Sequence, residues 1–167
     1  MHRLTPRLSI FPLSPAQMQL WVHDLPALEA ALGCTYRGEP LSGPFLQVVC
    51  AQASAAAAAS TNYMWHSFWL LMRRSDRSIV GSAVWKGAPD ASGQVEIGYG
   101  LGQAFYHQGY MTEAVSELCR WALDQPAVTS VLAETDPLPQ GAASQRVLMR
   151  CGFLPYPQKS GCWWCLK

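Results

Sequence analysis

Charge is scarce in this 167-residue sequence: 14% of residues are charged, and 12 Lys+Arg stand against 11 Asp+Glu. No basic block or stripe exists, which excludes an electrostatic footprint for nucleic acid. No acidic block exists either, so no field is present to draw in a polycation. An apolar run of about 20 residues, the length that spans a bilayer, is also missing. Met1 to Arg7 lacks the apolar centre of a signal peptide. These absences predict a cytoplasmic protein with no nucleic-acid and no membrane partner. Paired cysteine motifs are missing too. Of the six cysteines, Cys162 and Cys165 form a C-x-x-C, but a zinc ribbon needs a second such pair. A redox motif opens a helix, whereas this one sits in a strand-like run, where residues three apart face opposite sides. Six reduced thiols and no metal site are expected.

What is present is apolar: half the residues are hydrophobic, enough for a core and too many for a disordered chain. The length suits a single domain, 1–167. Arg7 to Leu13 reads as a strand. Ser14-Pro15-Ala16-Gln17 is a capping box with proline at the first helical position, and a second short helix runs from Asp24 to a stop at Gly33. Thr35 to Pro44 is a loop, and Phe45 to Ala59 is helical. Asn62 to Arg73, rich in aromatics, reads as one strand, with Tyr63, Trp65, Phe68 and Trp69 in the core or beside a ligand. Ser78 to Trp85 and Gln94 to Leu101 complete an antiparallel meander. Arg73, Arg74 and Arg77 flank its first turn, where solvated charge is ordinary and steering of an anion is the alternative. Then the pattern changes. Thr112 to Asp124 is a helix, Val128 to Thr135 a strand, Ala142 to Arg150 a helix closed by Gly152, and two strands finish the chain. The fold class is α/β with a mixed sheet.

The most informative segment is Tyr106-His107-Gln108-Gly109-Tyr110-Met111-Thr112-Glu113-Ala114. It leads from strand to helix around a glycine. A helix N-terminus offers free N–H groups and a positive dipole end, which suit a pyrophosphate. Gly109 lets a ligand approach the backbone. Neither a G-x-G-x-x-G nor a P-loop is present.

Five pieces occur in order: Val95-Glu96-Ile97-Gly98-Tyr99, then Gln108 to Ala114, Ala133-Glu134-Thr135, Ala143 to Leu148, and Cys151-Gly152-Phe153. Together they resemble the GNAT superfamily of N-acetyltransferases, in the branch that includes the ribosomal-protein N-terminal acetyltransferases. The resemblance covers about Ile79 to Phe153. It implies two parallel strands that splay apart, with acetyl-CoA in the gap. The pantetheine arm would pair with Tyr99, Gly100 and Leu101, and the pyrophosphate would rest on His107, Gln108, Gly109, Tyr110, Met111 and Thr112. Departures from the family pattern are Tyr106 and Met111 in the turn, Gly141 where an Asn is usual, and Leu148 where many members place a tyrosine acid.

Acetyl transfer to an amine needs the ammonium deprotonated, the thioester oxygen stabilised and the thiolate protonated. By resemblance Glu96 is the base, acting through water; a strand-edge salt bridge is its alternative role, and Glu134 is the rival base. Ser144 is implied as the thiolate's partner, and capping within its own helix is the alternative. Glu113 reads as a helix-capping acid and His107 as an anion contact. Cys119 and Cys151 read as packing residues rather than as acetyl carriers. The expected activity is N-acetyl transfer from acetyl-CoA to a primary amine, on a protein N-terminus or a small molecule, by direct attack. A non-catalytic acyl-CoA-binding module is the alternative. A homodimer is the default assembly for such a protein.

Overall fold

Ser14 opens the first helix as its chemistry requires. Its hydroxyl accepts from the Gln17 amide, and the Gln17 side chain accepts from the Ser14 amide. In the computed structural model, which describes residues 1–157 and 159–167 and only the backbone of residues 60 and 61, this helix is α1 (Pro15–His23). It follows strands β1 (Arg3–Leu4) and β2 (Leu8–Pro12). Then come α2 (Leu25–Leu32), β3 (Thr35–Tyr36), α3 (Gly43–Ala58), β4 (Phe68–Arg73), β5 (Ser78–Trp85) and β6 (Gln94–Leu101). The remainder is α4 (Tyr110–Leu123), β7 (Ser130–Thr135), α5 (Ala142–Arg150), β8 (Leu154–Pro155) and β9 (Cys162–Leu166).

The strands form one mixed sheet in the order β1-β2-β4-β5-β6-β7-β9-β8, with β3 beside β5. Apolar side chains leave both of its faces, so both are covered. On one face α1, α2 and α3 pack over Phe68, Leu70, Ile79 and Val84, with Trp21, Leu28 and Val49 as their own contribution. On the other, α4 and α5 set Val115, Leu118, Trp121 and Leu148 against Trp69, Val80 and Ile97.

The predicted strand from Asn62 is half wrong. Ser60–Trp65 is a 3₁₀ turn, and β4 begins only at Phe68. Aromatic residues favour strands because they favour burial, and here burial is met another way. Trp65 packs edge-on against Trp85 and at a tilt against Trp121, and Trp69 Nε1 donates to the Met64 carbonyl at 3.1 Å. The predicted 35–44 loop also contains the two-residue β3, parallel to Ser78 and Ile79. Arg73, Arg74 and Arg77 are structural. Arg73 pairs with Asp76, Arg74 donates to the Thr5 and Pro6 carbonyls, and Arg77 donates to Leu32 and Gly33 at the C-terminal end of α2.

One irregularity of the sheet positions everything that follows. β6 pairs with β7, in parallel, only over Gln94–Glu96 against Ser130–Leu132. Its remaining length, Ile97 to Leu101, pairs with β5 alone. Beyond Glu96 the two parallel strands diverge, and the edge of β6 that faces β7 has no ladder partner.

Candidate functional site

The turn before α4 is shaped to expose backbone donors. His107 and Gly109 both have left-handed backbones, φ 60° and 80°. Alternating left-handed positions turn successive N–H groups toward one side, the geometry of an anion nest. Among the described residues, no protein acceptor takes an amide hydrogen from His107 through Thr112, and the first paired amide is Glu113, to the Gly109 carbonyl at 3.1 Å. No side chain caps this helix. Free donors and a helix dipole therefore converge at one place.

The chain's N-terminal segment holds this turn in position. Arg7 donates to the Gln108 carbonyl at 2.8 Å and to Glu113 Oε2 at 2.7 Å, and its guanidinium lies 4.4 Å from the Tyr110 ring centre. Thr5 donates to Glu113 Oε1 at 2.6 Å. Burial opposes ionisation of Glu113, but the bonds from Thr5 and Arg7 outweigh it and hold the carboxyl below its usual range. Glu113 thus secures the N-terminal segment rather than the helix end, so the helix-capping role expected for it is not the one it plays.

A cavity of about 560 Å³ opens between the nest, the unpaired edge of β6 and the first turns of α5. Of the residues singled out in the sequence, Tyr99, Gly100, Leu101, His107, Gly109, Met111, Thr112 and Ser144 line it. Gln108 and Tyr110 do not line it. The Gln108 side chain turns back to the Ala104 carbonyl, and the Tyr110 ring is buried against Phe105. The Tyr99 hydroxyl donates to the Ser144 carbonyl at 3.3 Å and so ties β6 to α5 across the gap. The Ser144 hydroxyl has no protein partner among the described residues, so it is not spent on its own helix.

Glu96 lies elsewhere. Its side chain leaves β6 on the face opposite Val95 and Ile97, beside Lys86, with which it forms an ion pair. It lines a separate cavity of about 180 Å³ with Lys86, Leu132 and Lys159. No aligned hydrogen bond to its Oε1 accompanies the pair. This placement matches the strand-edge ion pair, the alternative role for Glu96. Glu134 is exposed on β7 and also lies outside the large cavity.

The departures from the family pattern have local explanations. Met111 is buried, with its side chain in the core between α4 and the sheet. Leu148 is fully buried, so no acid stands there. At Gly141 a side chain would collide with the Asp136 carbonyl. Burial pushes the thiols of Cys119 and Cys151 up, which leaves them poor nucleophiles. All six cysteines are free, and no group of metal-ligating side chains exists among the described residues.

Sequence reasoning missed four residues. Arg146 and Arg150 line the cavity from an exposed face of α5; their i, i+4 spacing beside Ala143 and Ser144 was the available signal. Arg7 lies about a hundred residues from the turn it supports, and nothing local announces it. Glu39, from the loop after β3, also enters the cavity.

Residues 14–154 match the acetyltransferase (GNAT) domain family. The chain is 26% identical over 152 residues to the uncharacterized N-acetyltransferase YjdG of Bacillus subtilis, covering 85% of this chain and 89% of that protein. Its fold resembles the ribosomal-protein-S5-alanine acetyltransferase of Vibrio fischeri, with a TM-score of 0.67 at 13% identity over 99% of this chain and 96% of that one. It also resembles the microcin C7 self-immunity acetyltransferase MccE, solved with acetyl-CoA and AMP, with a TM-score of 0.61 at 15% identity over 97% and 93%. The family match spans most of the chain, and with the mixed, splayed sheet it leads to one conclusion: this protein belongs to the GNAT family and is an acetyltransferase.

Proposed function

We propose that the protein transfers an acetyl group from acetyl-CoA to a primary amine by direct attack, with both substrates bound together. One observation carries this reading: a row of amides without protein acceptors, residues 107–112, borders the same cavity as the unpaired edge of β6. The residues fit the cofactor. The amides of His107, Gln108, Gly109, Tyr110, Met111 and Thr112 hold the pyrophosphate, whichever way their side chains point. Arg146 and Arg150 add positive charge on the α5 side. Tyr99 and Leu101, which turn their backbone groups away from β5, offer them to the amide-bearing arm, and Gly100 lies between them, paired with Ser82. Bound there, acetyl-CoA supplies an activated acyl group.

The protein's own residues supply the rest. A backbone N–H near Leu101 stabilises charge on the acyl oxygen. Ser144, with a hydroxyl free of protein partners, orients and protonates the departing sulfur. Tyr99 fixes the distance between β6 and α5. The acceptor ammonium gives its proton to a carboxylate. Glu96 serves this step only through water and only by giving up Lys86, since the pair faces a separate cavity.

Two measurements test the proposal together. Calorimetry is expected to show coenzyme A binding, lost when the nest is closed. Release of thiol from acetyl-CoA is expected in the presence of a panel of primary amines. Binding without thiol release across the panel would instead fit an acyl-CoA-binding module. Ser144→Ala is expected to lower kcat with coenzyme A affinity retained, because a proton-transfer partner is lost while the donor site stays.

A further inference from the structure

Among the described residues Glu39 is the one carboxylate that lines the large cavity, and the fold goes to some length to put it there. Three neighbouring contacts seat its loop on β6. A side chain at Gly102 would collide with the Arg37 carbonyl, and one at Gly100 would fall on the Glu39 carboxylate itself. The Tyr36 hydroxyl donates to the Glu39 carbonyl at 2.7 Å. The missing side chains at Gly100 and Gly102 therefore form a trough in which residues 37–39 lie, with Glu39 over the free end of β6. Its carboxylate takes no hydrogen bond and no ion pair among the described residues. The other carboxylates close to the turn or the splay differ: Glu113 and Glu117 are tied to arginines and Glu96 to Lys86, while Glu134 is exposed and lies outside the cavity.

We propose that Glu39 anchors the acceptor as a primary alkylammonium and takes its proton, so that the acceptor enters as a cation at Gly100. This rests on the acetyl-transfer reading above and names the group that completes it. The N–H bond of the ammonium breaks and its proton passes to a Glu39 oxygen. The freed lone pair forms the N–C bond to the acyl carbon as the C–S bond breaks, and sulfur takes that electron pair. The nitrogen's second proton then goes to sulfur, through Ser144. The products are an amide and a thiol, and Glu39 returns its proton to water. Burial pushes the Glu39 carboxyl above its usual range, which brings it closer to the working pH of a general base. An unpartnered, half-buried carboxylate is costly to hold, and a cationic substrate relieves that cost where a neutral one does not.

The test uses two small acceptors with saturating acetyl-CoA at about pH 7.5. Ethylamine is almost wholly protonated there, like a lysine side chain of pKa about 10.4; hydroxylamine is mostly neutral. Glu39→Gln is expected to cut the ethylamine rate by about 100-fold, the scale of a lost general base, and the hydroxylamine rate by less than about threefold on the same argument. Glu39→Asp is expected to recover part of the ethylamine rate. Thermal melting and coenzyme A affinity of each variant are measured alongside to establish that the fold is intact. Equal losses with both acceptors overturn the proposal in favour of a structural role, as does an ethylamine rate left unchanged. A selective ethylamine loss in Glu96→Gln but not in Glu39→Gln overturns it in favour of Glu96. If the wild-type protein transfers to neither amine while coenzyme A still binds, the ammonium site falls and the donor site stands. If coenzyme A does not bind, the acetyl-transfer reading falls as well.

Discussion

The N-termini of α1 and α4 are built in opposite ways. At α1 the exposed donors are closed by side chains: Ser14 and Gln17 complete a reciprocal pair. At α4 the cap is Gly109, with no side chain, and the amides before and after it have no protein acceptor among the described residues. Unsatisfied donors at a helix end are a cost that most helices remove. The chain removes it at α1, where the helix end has only a structural role. It retains it at α4 and spends Arg7, Thr5 and Glu113 on holding the bare turn in place. On the function proposed above, the difference separates a helix end made for stability from one left open for a ligand.

The largest expected effect comes from closing the open end. Gly109 has φ 80°, where a β-branched side chain is strained by about 1–3 kcal/mol and also crowds the ligand. Gly109→Val is expected to weaken coenzyme A binding about 100-fold, read by calorimetry, since about 2.7 kcal/mol corresponds to that factor. Next comes the support. Arg7→Ala removes one charge-assisted bond to Glu113 and one to Gln108, and is expected to weaken coenzyme A about tenfold. Its melting temperature should fall by only a few degrees, because the pair is partly exposed. At the closed end the signs reverse. Ser14→Ala is expected to lower stability by about 1 kcal/mol in denaturant titration and to leave coenzyme A affinity unchanged. If Ser14→Ala weakened the ligand and Gly109→Val did not, the contrast between the two helix ends would be broken.

The smallest effect is in acid. The Glu113 carboxyl is held below its ordinary value of 4.5 in the folded protein. Its contribution to stability is therefore complete above about pH 4.5 and is lost as pH falls through the lower folded value. Glu113→Gln should narrow the gap between melting temperatures at neutral pH and at about pH 3, by an amount consistent with one partly exposed pair. An unchanged gap would show that Glu113 is not ionised against Arg7 in the folded state.

Much of this was legible in the sequence because it is local. The capping box at Ser14, the stop at Gly33, the Gly109 turn and the α5 stop at Gly152 each depend on a few adjacent residues, and each is found where expected. The meander and the change to alternating helix and strand followed from periodicity. What failed was long-range. Tyr63 and Trp65 looked like strand residues because packing on Trp85 and Trp121 lies outside any short window. The ion pair of Glu96 with Lys86, which follows directly after the neighbouring strand, was equally out of reach of a local reading. Glu39 sits between a glycine and a proline in a loop that reads as irregular. Only the fold shows that Gly100 and Gly102, more than sixty residues later, leave the space it occupies. The residues of the nest were readable as a set, but not which of them present side chains to the cavity. The side chains of Gln108 and Tyr110 turn away from it, toward Ala104 and Phe105.

The central claim is that the amides of residues 107–112 grip the pyrophosphate. Proton–nitrogen NMR of the labelled protein, titrated with coenzyme A, addresses those groups one by one. The account predicts large downfield amide shifts from His107 to Thr112 that saturate together, with the amides of Pro15-flanking Ala16 and Gln17 unmoved. Saturating shifts centred anywhere else, with residues 107–112 silent, would contradict it.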